Sequence, residues 1–223
     1  MSAEPDTAAA PQGTDAWLLS RLGKVTGSRV ADAVKRTKTG WSTERDKYMS
    51  ELILERVYLA ARPNQLPAGR FRNAAMKWGT DTEPQARAAY AFLADVDVVQ
   101  VGFVPHPRIA MAGCSPDGLV GADGMVQIKC PNPLTHMATL RSGAPAPEYV
   151  TQVQWEMACT GRAWSDFVSF DPEMPARYAL FVKRIPRDDA VIAALEADAV
   201  QFLAELDVAT AALAALYPDD DAP

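Results

Sequence analysis

Read for periodicity, the chain opens with helices, passes into short strands and closes on one long helix. Asp15 is placed to cap a short helix through Leu22, and Thr26-Gly27-Ser28 to start a second that runs through Val34. Residues 41 to 61 read helical, with Tyr48, Leu52, Leu54 and Val57 on roughly one side. A basic loop, Pro63 to Arg72, separates that helix from another over Met76 to Leu93, whose first half Gly79 and Pro84 weaken. Val96 to Val104, Ile109 to Cys114 and Met125 to Lys129 are rich in β-forming residues and read as successive strands. A Pro-rich loop, a helix over Glu148 to Cys159, and strands over Ser165 to Phe170 and Tyr178 to Lys183 follow. From Asp188 to Leu216, Ile192, Leu195, Ala199, Phe202, Leu206, Ala209 and Leu213 recur at helical spacing, a packing stripe. The pattern describes one α/β (α+β) domain over residues 14–217, between a flexible leader (1–13) and an acidic tail (218–223).

Composition narrows the class. At 223 residues, 48% of them hydrophobic, the chain can bury one sizeable core, and nothing forces a second domain. A formal charge of −6 argues against wholesale coating of nucleic acid, yet net charge does not describe one concave surface. Basic residues gather before residue 90, with Arg21, Lys24, Arg29, Lys35, Arg36, Lys38, Arg45 and Lys47 in one stretch. Three widely spaced cysteines (Cys114, Cys130, Cys159) and two histidines indicate neither a disulfide framework nor a zinc site, and imply a reducing compartment. No secretory leader is evident and no stretch reads as a membrane span, so a soluble, cytoplasmic protein is expected.

The candidate chemistry lies on one hairpin. Asp117 of Ser115-Pro116-Asp117-Gly118 ends one strand, Gly121-Ala122-Asp123-Gly124 supplies turn residues, and Met125 to Lys129 returns. Side chains alternate along a strand, so Val126 and Ile128 point one way while Gln127 and Lys129 point the other, towards Asp117. One apolar face is then buried and one polar face is left for chemistry. The Asp117 carboxylate, an oxygen of Gln127 and the Ile128 carbonyl suit Mg²⁺, which prefers oxygen ligands, and Lys129 would orient or help deprotonate the attacking water. An exposed turn Asp and an edge-strand Lys are the plain structural alternative, because a Pro-Asp followed nine residues later by x-x-Lys is a loose pattern.

Five segments in order carry a resemblance across most of the chain. They are Ser20-Arg21-Leu22-Gly23-Lys24-Val25-Thr26-Gly27-Ser28, Trp78-Gly79-Thr80-Asp81-Thr82-Glu83, Cys114-Ser115-Pro116-Asp117-Gly118-Leu119, Ile128-Lys129-Cys130-Pro131 and Tyr149-Val150-Thr151-Gln152-Val153-Gln154. Together they resemble the lambda-type alkaline exonucleases, the YqaJ-like viral recombinase family of PD-(D/E)XK nucleases. The resemblance implies a restriction-endonuclease-like core, a mixed β-sheet flanked by helices, that degrades one strand of linear double-stranded DNA from its 5′ end. It also implies Mg²⁺, with Mn²⁺ as a substitute, a ring of three subunits, and a single-strand annealing partner in homologous recombination.

Residue by residue, Asp117, position 127 and Ile128 match the metal ligands, Glu83 the acidic residue that organises the metal shell, and Lys129 the signature lysine. Gln152 matches the glutamine that braces water and lysine, whereas Gln154 reads as structural. Arg21, Ser28 and Ser115 match the 5′-phosphate pocket, with a guanidinium and two hydroxyls as donors. Arg36 or Lys38 would contact the duplex and Met76 would sit near its fork.

One letter departs from the pattern. Gln127 stands where the family has a carboxylate, which keeps the shape but removes a negative charge from the metal site. A few kcal/mol lost there corresponds to about two to three powers of ten in rate. An isosteric change amid an intact set resembles a deliberately disabled form of the enzyme. Two other functions remain open on the sequence: a DNA-end-capturing protein that never cuts, and a sequence-specific endonuclease on the same core.

Overall fold

The computed structural model describes residues 10–66 and 74–217. Helix α1 (Asp15–Arg21) leads to strand β1 (Val25–Thr26), a 3-10 turn (Gly27–Arg29) and the one-turn α2 (Val30–Ala33). A small hairpin, β2 (Arg36–Thr37) and β3 (Gly40–Trp41), precedes the long helices α3 (Thr43–Ala61) and α4 (Ala74–Ala94). Strands β4 (Val98–Val99), β5 (Val104–Pro105), β6 (Ala112–Cys114), β7 (Gly118–Val120) and β8 (Gly124–Lys129) follow. Then come α5 (Pro133–Ser142), α6 (Pro147–Thr160), β9 (Trp164–Phe170), α7 (Ala176–Ala179), β10 (Leu180–Pro186) and α8 (Asp189–Leu216).

A mixed sheet in the order β10-β9-β8-β7-β4 forms the centre, parallel at β8–β9 and antiparallel elsewhere. Its two faces bury different cores, as the strand alternation requires. Met125 and Phe167 pack with Trp155 of α6 and with Ile192, Ala199 and Phe202 of α8. Val126, Ile128 and Val168 pack on the other side with Ala86 and Tyr90 of α4. Gln127 and Lys129 therefore share the α6 side. That face is roofed rather than open: Gln152 to Thr160 of α6 are all buried. A second small sheet, β1-β6-β5, runs β1 parallel to β6 and holds the 3-10 turn beside α6.

Several expectations shift in ways that tertiary contacts explain. The strand expected over 96–104 divides into β4 and β5, which belong to different sheets, with Val101 and Phe103 buried between them. The segment after Lys129 contains α5, announced by an Asn132 cap on Thr135 N–H, Pro133 in the first turn and Gly143 at φ 65°. On α3, Tyr48 and Leu52 are buried but Leu54 and Val57 are exposed, since only the first pair faces α8. Gln154 is structural as expected, donating to the Pro186 carbonyl and accepting from Asp188 N–H.

Helix α8 corrects the expectation that no stretch is long enough for a membrane: by length and composition it is. Its stripe from Ile192 to Leu206 nevertheless packs in the core, and Glu196, Asp198, Glu205 and Asp207 each meet a basic residue from another element. Arg45, one of the basic residues gathered before residue 90, is buried between the Trp41 and Phe202 rings against Glu205.

Candidate active site

Asp117 sits just before β7, where pairing with β8 begins at Gly118 opposite Val126. Its carboxylate continues that ladder. Oδ2 accepts the Ile128 N–H at 2.6 Å and the Gln127 Nε2 at 2.5 Å. Both side chains are buried, and Gln127 Oε1 finds no donor among the described residues. Burial, then the nearby Glu83 carboxylate, raise Asp117 from 3.8 to about 7, against the opposing pull of Lys129, the Ile128 N–H and Arg87. The cluster thus presents more acceptor oxygen than the protein supplies donors.

Around Asp117 stand residues from three other elements. Glu83 of α4 pairs with Arg87 one turn later. Lys129 ends β8 with Nζ 5.3 Å from the Tyr149 ring centroid. Gln152 of α6 donates from Nε2 to Glu156 Oε1 at 2.8 Å. Glu156 itself is a site residue the sequence reading passed over. It is buried, its Oε2 has no partner among the described residues, and burial with the Asp117 charge raises it to about 8. The available signal was its position one helical turn after Gln152.

The 5′-phosphate candidates also converge. Arg21 at the end of α1 donates from Nη2 to Ser28 Oγ at 3.3 Å. Its guanidinium lies 4.2 Å over the Trp17 ring, and Trp17 Nε1 donates to Ser115 Oγ at 2.9 Å. Gln12, in the stretch assigned to the leader, donates to the carbonyls of Val101 and Pro116 and so holds the chain against this corner. A cleft of about 850 Å³ is lined by Trp17, Arg21, Lys24, Arg29 and Arg87 and by the carboxylates Glu51, Glu55 and Glu83. Arg87 and Lys24 were not singled out in the sequence as cleft residues.

The duplex candidates fare differently. Arg36 lies outside the cleft lining, stacked on Trp41 and paired with Asp198, and Lys38 is exposed at the β2–β3 turn. Met76 falls outside the residues whose side chains are described, as does the loop segment 67–73.

The donor set fits a hard cation. Burial raises the Asp117 carboxyl to about 7, and among the described residues Gln127 Oε1 is a buried acceptor beside it with no donor. Oxygen ligands of this kind suit Mg²⁺. Among the described residues, no three His, Cys, Asp or Glu side chains cluster as a metal site. With an amide at 127 the carboxylate count falls short, and its N–H satisfies the oxygen of Asp117 that a cation would otherwise neutralise.

Comparison with known proteins gives the family and the fold. The YqaJ-like viral recombinase domain matches residues 16–163. The crystal structure of an alkaline exonuclease, LHK-Exo from Laribacter hongkongensis, is 47% identical, with a TM-score of 0.80 over 90% of this chain and 96% of that one. The same enzyme in complex with dAMP gives a TM-score of 0.81 at the same identity and coverage. A phage-related exonuclease from Haemophilus somnus is 13% identical, with a TM-score of 0.65 over 85% of this chain and 96% of that one, and shares the fold. No curated protein sequence matches the chain.

Proposed function

Because this chain belongs to the YqaJ-like viral recombinase domain family, we propose that it is built as an Mg²⁺-dependent 5′-to-3′ exonuclease on linear double-stranded DNA, with turnover suppressed by Gln127. Its mixed sheet and flanking helices form a restriction-endonuclease-like fold, and its likeness to an alkaline exonuclease makes it a nuclease homologue. The observation that carries the finer reading is the buried Asp117–Gln127 pair, with the cleft-lining Glu83 near enough to raise the Asp117 carboxyl.

Asp117, residue 127 and the Ile128 carbonyl would hold Mg²⁺ or Mn²⁺, with Glu83 contributing negative charge from the cleft edge. Bound there, the cation would polarise the scissile phosphate, acidify the attacking water and screen the leaving oxygen. Lys129 orients that water and takes part in its deprotonation, while Gln152, fixed by Glu156, braces the lysine side of the site. Arg21, Ser28 and Ser115 grip the 5′-phosphate and so set the cut at the terminal nucleotide. Arg21 and Lys24 bring positive charge to the cleft, where Arg29 is paired with Asp32 and Glu51 and Arg87 with Glu83, and contacts to the backbone carry no base preference.

Gln127 weakens this machinery twice. It removes one negative charge, and its Nε2 donates to Asp117 Oδ2, an arrangement a carboxylate could not make. The product would be a 3′ single strand for homologous recombination, made by a homotrimeric ring beside a single-strand annealing protein in the cytoplasm. The test is digestion by the Gln127→Glu protein with Mg²⁺. Release of mononucleotides from 5′-phosphorylated linear duplex, with closed circular plasmid intact, is expected. Cleavage of the circle would make it an endonuclease; tight end binding without release would make it a capture protein.

A further inference from the structure

We propose that Trp17 is the positioning residue of the phosphate pocket: it fixes Arg21 by its ring and turns the Ser115 hydroxyl towards the ligand by its N–H. The inference rests on reading Arg21, Ser28 and Ser115 as the 5′-phosphate site and names what organises it. Trp17 and Arg21 lie four residues apart on α1, so the indole and guanidinium share one face of the helix. The stack at 4.2 Å holds a side chain that would otherwise sample many rotamers.

The hydrogen-bond chemistry then decides which way the hydroxyls point. An indole N–H is a donor only, so at 2.9 Å from Trp17 Nε1 the Ser115 oxygen must accept, and its own hydrogen is left to donate elsewhere. A guanidinium is likewise donor-only, so Ser28 Oγ accepts from Arg21 Nη2 at 3.3 Å and also keeps its hydrogen for another acceptor. Two serines held as acceptors by cationic or N–H donors become two outward donors beside a positive charge. That arrangement selects a dianionic terminal phosphate over a hydroxyl. Trp17 is half-buried and α1 has no buried residue, so the ring is not a core element, which leaves the pocket as the reason for its bonds.

The test needs no catalysis and uses the chain as it stands. Fluorescence anisotropy without divalent cation compares duplexes identical except for a 5′-phosphate or a 5′-hydroxyl, on the parent chain, Trp17→Phe and Trp17→Leu. The parent should prefer the phosphate. Trp17→Phe keeps a ring for the stack but loses the N–H, and should reduce that preference about tenfold; Trp17→Leu, which loses both, should abolish it. Thermal melts verify that each variant is folded, and Trp17→Phe alone decides the matter should the leucine variant unfold. An undiminished preference in a folded Trp17→Phe protein would overturn the positioning role while leaving the phosphate pocket standing. A parent chain that binds both ends equally would remove the pocket, and the inference with it.

Discussion

At the scale of single residues, the candidate active site is marked by two buried carboxyls, Asp117 and Glu156. Asp117 is raised to about 7 and Glu156 to about 8, both first by burial. Folding favours the neutral form of such a group, so its stabilising contribution is complete below the unfolded value near 4 and is lost as pH rises through the folded values. His106 acts in the opposite sense, since burial lowers it from 6.5, but its effect falls at more acidic pH. Between about pH 6.5, above which the histidine no longer acts, and pH 8, where the last carboxyl ionises in the folded protein, the carboxyls should therefore dominate. Metal-free protein is predicted to show a falling Tm across that window, and Glu156→Gln to flatten the upper part of the fall. A parent and a Glu156→Gln variant with parallel melting profiles would show that Glu156 does not titrate there.

At the scale of elements, the β8–β9 pair positions the chemistry, because Gln127 and Lys129 take their register from Phe167 and Ser169. Its start depends on Gly124, where an added Cβ would lie 2.1 Å from the Trp164 ring. That ring also carries Arg184 at 3.6 Å and has little room to retreat. Gly124→Ala is expected to destabilise the fold by about 1–3 kcal/mol, read as a lower urea midpoint at unchanged m-value; an unchanged midpoint would contradict the packing described.

The same elements show what a sequence can and cannot disclose. The turn at 121–124 and strand β8 were legible because turn residues and alternation are local signals, and Glu83 and Gln152 fall on helices as expected, but Asp117 precedes β7 instead of ending a strand. The division of residues 96–104 was not, since Val98 and Val104 read alike until one pairs with Val120 and the other with Cys114. Nor was Trp17, whose bond to Ser115 spans 98 residues. The polar face of β8 was foreseen, but not its burial, which comes from the α6 helix lying across it. Arg45 misled for the same reason: a basic residue followed by neighbours of both signs gives no hint of two aromatic rings closing on it from β3 and α8.

At the scale of the whole molecule, a chain of net charge −6 is asked to hold DNA, which requires its cations to act locally. Lys24, Arg21, Arg29 and Arg87 line one cleft together with Glu51, Glu55 and Glu83, while Glu196, Asp198, Glu205 and Asp207 of α8 take up cations elsewhere. A ring of three such clefts would keep the enzyme on its strand between cuts. Light scattering should accordingly give a mass three times the 24.1 kDa of one chain, and a monomer at working concentration would contradict the ring.

The central claim is that one missing charge at position 127 separates this chain from an active nuclease. Initial rates of nucleotide release from 5′-phosphorylated linear duplex, measured for the parent and for Gln127→Glu across a Mg²⁺ titration, test it most directly. The account predicts a rate about two to three powers of ten higher for Gln127→Glu, reached at lower Mg²⁺ and abolished by chelation. Equal rates in the two proteins, or release that persists without divalent cation, would contradict it.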